Sequence, residues 1–509
     1  MQREKWTSKL GVILAVAGSA VGLGNFLRFP AKVVQNGGGA FMIPYFICLL
    51  LLGIPMVWVE WAMGRYGGQF SHGSAPGVFN VMAKGRFAKY LGSIGIFGPL
   101  VIFFYYIVIE SWILGYSFFS ILGSYEKINS PQIMKEFLAG FQGITSNQWF
   151  SNVGWAYLFF LITFFLNFYI IYRGVVKGIE LVSKIALPLL GILGIVLSLR
   201  VIFLQPLQNP DWTVFKGFGF IWNPDFSALL NAKVWLEAAG QVFFTLSIGI
   251  GVILTYASYL DRSKDIALSG LTSAVTNEFF EVIVGATLVI PAAFVFFGPD
   301  GSKEVVKSGI FNLSFVTVPF IFKTLPLGRL WGFFWFVLLF FAGLTSSISI
   351  LQPAISFLED ELKLSRKKAV LILAFVCFLF SQLAIFFLSK GAVDELDFWG
   401  GSFLLVVFAA IEVIIFAWIF GIENSWKELH LSADIKIPSV YKFIIKYITP
   451  LLLIVILVFW TIQQIIPTFL MKNYKPEERP VVLFVRLSLL LLFFIINLLI
   501  YRRWRKVKS

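Results

Sequence analysis

The chain has 509 residues, of which 58% are hydrophobic and only 13% are charged. That little polar surface cannot cover the three or four water-soluble domains that the length would otherwise allow. The formal net charge is +14, but the basic residues lie in short links and in the tail Arg502 to Lys508. This distribution argues against nucleic acid as a partner and indicates membrane lipids with anionic headgroups.

Twelve apolar segments follow one another along the chain, each long enough to form a span of roughly 20 residues across a hydrocarbon core. They lie at about residues 10 to 35, 39 to 66, 87 to 122, 152 to 172, 179 to 204, 234 to 259, 267 to 297, 326 to 357, 368 to 389, 394 to 420, 439 to 465 and 479 to 501. Residues 1 to 509 are therefore predicted to form one all-α polytopic transmembrane domain. The basic links fall on the side of both termini, which predicts that both termini are cytoplasmic, in the cell (inner) membrane.

The first and sixth segments are unusual for membrane spans, because small residues cluster at their middles. The clusters are AGSAVGLGN (Ala17 to Asn25) and FFTLSIGIG (Phe243 to Gly251). Such residues weaken a helix, and freed backbone groups are tolerated in lipid where they line a cavity. The alternative is that small residues only let helices pack closely. Because the clusters lie five spans apart, in opposite orientations, we predict broken helices in an inverted repeat.

The eighth segment carries Ala342, Thr345 and Ser346 at positions i, i+3 and i+4, which share one helix face. Their hydroxyl and carbonyl oxygens are ligands that suit an alkali cation. The alternative is that the hydroxyls bond back to the preceding helical turn, as is common in membrane helices. Taken alone, the pattern favours that alternative.

Acids and amides within the apolar segments are functional candidates because they are costly at that depth. They are Asn25, Glu60, Glu110, Glu237, Asn277, Glu278, Glu281 and Glu412. The two asparagines offer neutral oxygens, which fits a cation bound beside an anionic substrate group. For the glutamates, polar packing between helices is an equal alternative.

The chain lacks the residues that intramembrane proteases and ATP-driven transporters need. An intramembrane aspartyl protease needs paired mid-membrane carboxylates, whereas Asp261, Asp360 and Asp397 fall at links or span ends. A serine protease needs a histidine in the bundle, but His72 and His430 lie in links. No P-loop pattern is present, so ATP-driven transport is also disfavoured. We predict no enzymatic activity.

Several longer motifs identify the chain more closely. They are GSAVGLGNFLRFP (Gly18 to Pro30), NGGGAFMIPY, EWAMGRYGG, YYIVIESW, GQVFFTLSIG and FFAGLTSS. In this order, they resemble the neurotransmitter:sodium symporter family over nearly the whole chain. The resemblance implies the LeuT fold, with 12 transmembrane helices, broken helices 1 and 6, and a 5+5 inverted repeat. The repeats would span residues 10 to 204 and 234 to 420, with helices 11 and 12 (439 to 501) outside them.

The resemblance further implies two sodium ions. The first site would use the Ala20 carbonyl and the side chains of Asn25, Thr245 and Asn277, completed by the substrate carboxylate. The second would use the carbonyls of Gly18, Val21 and Ala342 with the hydroxyls of Thr345 and Ser346. This second set contains the shared face of the eighth segment, and the resemblance therefore favours cation binding there.

The implied substrate is an amino acid. Its carboxylate would meet the N–H groups of Leu23 and Gly24 and the Tyr106 hydroxyl, since a half-helix amino terminus offers unpaired donors. Its ammonium would meet carbonyls near Ala20, Phe244 and Thr245 and the Ser247 hydroxyl. The pocket positions are Ser19, Ile102, Tyr106, Phe244, Ser247, Ile250, Ser346 and Ile350. No charged residue is among them, which favours neutral hydrophobic L-amino acids such as leucine.

The resemblance also assigns two gates. The outer gate is an Arg28–Asp397 ion pair with Tyr106 and Phe244 as an aromatic lid. The inner closure consists of Arg3 and Asp360 with Ser258, Tyr259 and Gln352. Glu281 would replace the chloride ion that some family members need, so no chloride requirement is expected.

These implications describe a sodium-coupled symporter that works by alternating access, with a homodimer as one assembly to test. The alternatives are an amino-acid receptor or sensor that binds without translocation, and a channel.

Overall fold

The computed structural model describes residues 4–85, 87–206, 209–307 and 310–506, and the regular secondary structure in these ranges is helical. One isolated bridge joins Gly38 to Pro224. Arg3 of the predicted inner closure and Lys508 of the basic tail lie outside the described residues.

Nineteen helices, named here α1 to α19, account for the spans and their main connections within the described ranges. Their bounds are α1 Lys9–Ala20, α2 Gly24–Gln35, α3 Gly39–Gly68, α4 Ala75–Ala83, α5 Ala88–Leu122, α6 Pro131–Phe141, α7 Gly154–Tyr172, α8 Val175–Ile202, α9 Val214–Trp222, α10 Ala232–Thr245, α11 Val252–Ala257, α12 Ala267–Pro299, α13 Leu313–Lys323, α14 Gly328–Glu361, α15 Arg366–Phe386, α16 Ala392–Ile419, α17 Ile422–His430, α18 Val440–Phe469 and α19 Arg479–Arg505.

Ten helices in the described part of the chain are long and apolar enough to cross a membrane. The pair α1 and α2 makes an eleventh span if it is counted as one unit bent by 42°. The sixth predicted span consists of the shorter helices α10 and α11, which the segment Leu246 to Gly251 separates. The total of twelve spans and the inverted repeat remain predictions.

The interruption between α10 and α11 has a local backbone cause. Ser247, Gly249 and Gly251 have φ angles of 54°, 76° and 71°, in the left-handed region that a right-handed helix cannot accommodate. The Gly249 N–H that the interruption frees donates to the Glu60 carboxylate of α3 at 2.6 Å. Thus a buried acid satisfies a backbone group that lipid could not.

The helices pack around α5, which is buried along most of its length and contacts α7, α14 and α15. The interrupted helix α1 packs against α12 and α14, and α11 packs against α3. Helices α8, α18 and α19 present many exposed leucine and phenylalanine side chains, such as Phe459 and Phe494. Exposed apolar surface of this extent is suited to lipid.

The contact between α3 and α11 depends on Gly64. A Cβ atom at this position would meet the Leu254 carbonyl and would lie 2.8 Å from the Ala257 Cβ. Because the Leu254 carbonyl is a backbone group, it cannot move aside as the end of a flexible side chain could. A side chain at Gly64 would therefore push α11 away from α3.

We predict that Gly64→Ala destabilises the protein by about 1–3 kcal/mol through overpacking. The matched control is Gly98→Ala in α5, since a Cβ at Gly98 would meet no atom within 4 Å. Alanine there should be neutral or slightly stabilising, because it favours helix by about 1 kcal/mol over glycine. Thermal unfolding of the detergent-purified variants measures both changes, and equal behaviour of the two would contradict the packing argument.

Candidate functional site

A central cavity of about 30 Å³ lies where the two helix interruptions meet. All twelve residues predicted to bind substrate line it: Ser19, Ala20, Leu23, Gly24, Ile102, Tyr106, Phe244, Thr245, Ser247, Ile250, Ser346 and Ile350. Gly22 and Leu405 complete the lining. A Cβ at Gly22 would lie 2.6 Å from the Ser346 hydroxyl oxygen, so only glycine leaves this part of the cavity open.

One end of the cavity is polar, and backbone groups of the first interruption supply much of it. The Leu23 N–H donates to the Tyr106 hydroxyl at 3.3 Å. The Ser19 carbonyl accepts from the hydroxyls of Ser247 and Ser346, both at 3.0 Å. This end thus offers N–H and O–H donors beside carbonyl acceptors, the groups needed for a carboxylate and an ammonium. Ile102, Ile250, Ile350 and Leu405 supply the apolar part of the lining.

The side chains predicted for the first sodium site form one buried cluster. The Asn25 amide donates to the Asn277 side-chain oxygen at 2.8 Å, and the Asn277 amide donates to the Thr245 hydroxyl at 3.0 Å. Each of the three side chains is at most 1% exposed. The Asn25 oxygen also accepts from the Gly22 N–H at 2.8 Å, which connects the cluster to the interruption after α1.

The residues predicted for the second sodium site also come together, between α1 and α14. The Thr345 Cβ would lie 3.4 Å from a Cβ at Gly18, so the two helices approach closely here. The Thr345 hydroxyl donates to the Phe341 carbonyl at 2.9 Å, and the Ser346 hydroxyl donates to the Ala342 carbonyl at 3.1 Å. Both hydroxyls thus bond back to the preceding turn. The Ser346 hydroxyl also reaches the Ser19 carbonyl of α1, whereas Thr345 approaches Gly18 with its Cβ and methyl group.

The chemistry of both clusters fits an alkali cation. Their donor atoms are hydroxyl, amide and carbonyl oxygens, which are hard ligands. The Gln241 side-chain oxygen, next to the first cluster, is buried without a hydrogen-bond partner. Within the described residues there is no group of three histidine, cysteine or acidic side chains that could hold a metal ion. The sequence prediction assigns Asn25, Thr245 and Asn277 to one sodium site and Thr345 and Ser346 to the other.

Glu281 borders the first cluster and is fully buried. Its carboxylate accepts from the Thr245 hydroxyl and, at 2.7 Å, from the Gln241 amide. The Tyr45 hydroxyl lies beside the same group of acids and donates to Glu278 at 2.8 Å. A carboxylate thus stands next to the predicted cation ligands, and a second one lies one helical turn away.

An outer cavity of about 500 Å³ lies beyond the central one, on the face predicted to be external. Tyr106 and Phe244 line both cavities and separate them, as expected for an aromatic lid. The predicted gate pair is not formed in this structure. The Arg28 guanidinium lies 4.4 Å from the centre of the Phe244 ring, and Asp397 accepts from the Tyr105 hydroxyl at 2.6 Å.

Contacts on the opposite face close the inner side. The Gln352 amide donates to the Tyr259 hydroxyl at 2.9 Å, and both belong to the predicted inner closure. Asp360 accepts from the Ser356 hydroxyl at 2.8 Å. The Ser258 hydroxyl donates to the Thr255 carbonyl within its own helix.

The sequence did not assign the residues that fasten the amino-terminal segment to this inner face. The Trp6 indole donates to the Tyr256 carbonyl at 2.9 Å, and the two rings meet edge to face. Lys5 forms an ion pair with Asp261. The feature of the sequence that could have identified Trp6 is an aromatic residue within a charged stretch. Glu60 was noted as a buried acid, but its role at the second interruption depends on the fold.

Comparison with known proteins identifies relatives over most of the chain. A family model described as the sodium:neurotransmitter symporter family matches residues 3–136 and 133–506. An uncharacterized sodium-dependent transporter of Methanocaldococcus jannaschii is 32% identical, over 89% of both chains. The sodium-dependent dopamine transporter of Caenorhabditis elegans is 26% identical, over 89% of this chain and 79% of that protein.

A solved structure supports the fold. The crystal structure of MhsT in complex with L-phenylalanine matches with a TM-score of 0.78 and 30% sequence identity. The match covers 90% of this chain and 99% of that one. A likeness of this extent shows that the chain has the fold of that transporter.

Proposed function

The chain belongs to the sodium:neurotransmitter symporter family, and we propose that it imports neutral hydrophobic L-amino acids together with sodium by alternating access. It is a carrier rather than an enzyme, because the family transports its substrates. We place it in the cell membrane with both termini cytoplasmic, where the basic tail would face anionic lipid.

One observation carries the substrate class: the lining of a single cavity combines polar backbone and hydroxyl groups at the helix interruptions with three isoleucine side chains. An amino-acid carboxylate fits at the Leu23 N–H and the Tyr106 hydroxyl, near the amino terminus of α2. The ammonium would meet the carbonyls near Ala20, Phe244 and Thr245 and the Ser247 hydroxyl, all of which belong to residues that line the cavity. Ile102, Ile250 and Ile350 would surround the side chain. The MhsT complex, which contains phenylalanine, supports an amino-acid ligand.

Two sodium ions would couple binding to conformation. The cluster of Asn25, Thr245 and Asn277 adjoins the cavity, so an ion there would offset the charge of the buried carboxylate. Removing that anion from water without a counter-ion costs several kcal/mol. An ion at Thr345 and Ser346 would instead hold α1 against α14. Sodium would thereby stabilise the arrangement in which the substrate can bind.

The two gates of this structure differ in a way that suits an outward-facing carrier. Tyr106 and Phe244, with Leu23 and Gly24, line both the central and the outer cavity, so a movement of the two rings would connect them. The inner face is fastened by Trp6 and by the Lys5–Asp261 pair, whose side chains are 64% and 48% exposed. Exposed ion pairs contribute only about 0–1 kcal/mol each, so this closure can break in every cycle.

Uptake and counterflow in proteoliposomes test the carrier function. An inward sodium gradient should drive accumulation of labelled leucine, and potassium should not replace sodium. Asn277→Ala should abolish most sodium-dependent uptake, whereas the control Asn497→Ala in α19, whose amide bonds only to the Phe493 carbonyl of its own helix, should transport normally. Sodium-dependent binding without counterflow would contradict the carrier and favour the receptor alternative.

We predict chloride-independent transport, because the Glu281 carboxylate supplies a fixed negative charge beside the first sodium cluster. Replacing chloride by gluconate should leave wild-type uptake unchanged. Glu281→Ser removes that charge and should make uptake depend on chloride. A wild type that stalls in gluconate would refute the assignment.

The cavity lining predicts the order of competing substrates. Leucine, isoleucine, valine, methionine and phenylalanine should inhibit leucine uptake more strongly than glycine. Glutamate and lysine should not compete, since no charged side chain lines the central cavity. Ile250→Phe should shift preference towards smaller side chains, by roughly 1–3 kcal/mol for each methylene excluded. Equal competition by glutamate and leucine would show that the side-chain pocket is wrongly assigned.

A further inference from the structure

A buried ion pair joins the outer ends of α16 and α19, and no step of the proposed transport cycle uses it so far. The Arg486 Nε atom lies 2.7 Å from the Glu395 Oε1 atom, and the two side chains are 10% and 0% exposed. Helix α19 is part of the pair of helices predicted to lie outside the inverted repeat. The pair therefore connects a peripheral helix to the core.

The polar atoms around this pair are fully used. Glu395 also accepts from the Tyr474 hydroxyl at 2.9 Å and from the Trp399 indole at 2.7 Å. The remaining Arg486 nitrogens donate to the carbonyls of Phe469 at 2.8 Å and of Thr468 at 3.1 Å, at the end of α18. Each of these hydrogen bonds requires its own donor–acceptor direction. The network is therefore compatible with one placement of Glu395 relative to α18 and α19.

Glu395 lies on a short helical segment at the start of α16, between a left-handed glycine and a π-helical stretch. The segment Ala392–Asp397 follows Gly391, whose φ is 77°, and precedes the π-helical stretch Phe398–Phe403. A π-helical turn breaks the regular register of an α-helix. Although the backbone continues into α16, the side-chain contacts of the segment therefore help to set its rotation.

The same segment carries Asp397, which the sequence assigned to the outer gate. At about 100° per residue, two residues place Asp397 on the side of the segment opposite to Glu395. There it accepts from the Tyr105 hydroxyl of α5 at 2.6 Å and lines the outer cavity. Holding Glu395 on one side consequently determines how far Asp397 reaches on the other.

We propose that Arg486 is a positioning residue for the outer gate: through Glu395, it fixes the segment Ala392–Asp397 and thereby favours closure over bound substrate. The proposal rests on the carrier function proposed above. It gives α19 a task in gating although this helix contributes no atom to the central cavity. A residue with a merely structural role would change stability without changing the balance between open and closed states.

The experiment measures the accessibility of a cysteine in the outer cavity. Ile109 lines that cavity and is absent from the central one, and the native cysteines Cys48 and Cys377 are buried. In the Ile109→Cys background, a membrane-impermeant maleimide should react more slowly once sodium and the best competing amino acid close the outer side. Arg486→Met should remove most of this protection and raise KM for uptake more than it lowers the maximal rate.

Two further variants keep the result interpretable if Arg486→Met folds poorly. Glu395→Gln keeps the shape of the side chain and its contacts with Tyr474 and Trp399, but it weakens the interaction with Arg486. In this variant, sodium and substrate should protect the cysteine from labelling only in part. Arg65→Met is the matched control, since Arg65 forms an equally buried pair with Glu428 at 2.9 Å on the inner face. Its loss should not increase labelling from outside in the presence of substrate.

A double variant distinguishes positioning from packing. If Arg486 acts through Asp397, then Arg486→Met combined with Asp397→Asn labels no faster than Asp397→Asn alone. Additive effects would overturn the inference, as would full protection in both Arg486→Met and Glu395→Gln. A wild-type background without any protection by sodium and substrate would instead refute the carrier function on which the inference rests.

Discussion

The structure depends on satisfying backbone groups that are released where two helices are interrupted within the bundle. A buried amide without a partner costs several kcal/mol in lipid, where no water replaces the lost bond. Side chains supply the partners: Glu60 and Tyr106 of other helices accept from Gly249 and Leu23, and Asn25 of the same interrupted span accepts from Gly22. Because these backbone groups have no partner within a helix, the interruptions can also bind a ligand. Structural requirement and ligand recognition thus use the same few atoms.

The polar clusters explain how charge is managed at that depth. Neutral amides and hydroxyls surround the cavity, and the acid Glu281 lies behind the first cluster rather than in the cavity lining. A cation would therefore meet oxygens that carry no full charge, with one carboxylate close enough to balance it. In the proposed cycle, the substrate carboxylate supplies the other negative charge, which makes binding of ion and substrate mutually dependent.

The outer and inner faces are closed by different kinds of contact. Aromatic rings separate the central cavity from the outer one, while an amino-terminal segment fastens the inner face through Trp6 and an exposed ion pair. Contacts of the second kind are weak and can exchange with water. The buried Arg486–Glu395 pair is different, because removing one partner leaves a charge without compensation. In the proposed cycle this pair stays formed and positions the outer gate, whereas the gates themselves must open.

The sequence by itself determined the membrane class, the places of the two interruptions and, through the family motifs, the residues that line the central cavity. These are properties of composition or of short segments, such as glycine and serine at mid-span or hydroxyls one helical turn apart. Tertiary structure alone decided which partner each long side chain takes. Tyr45 bonds to Glu278, and Arg28 stacks on Phe244 while Asp397 bonds to Tyr105. Arg486 meets Glu395 across 91 positions of sequence. Helical periodicity tells which face a residue occupies, but the neighbouring helix and its register come only from packing, and several partners within reach of one flexible side chain differ by small energies.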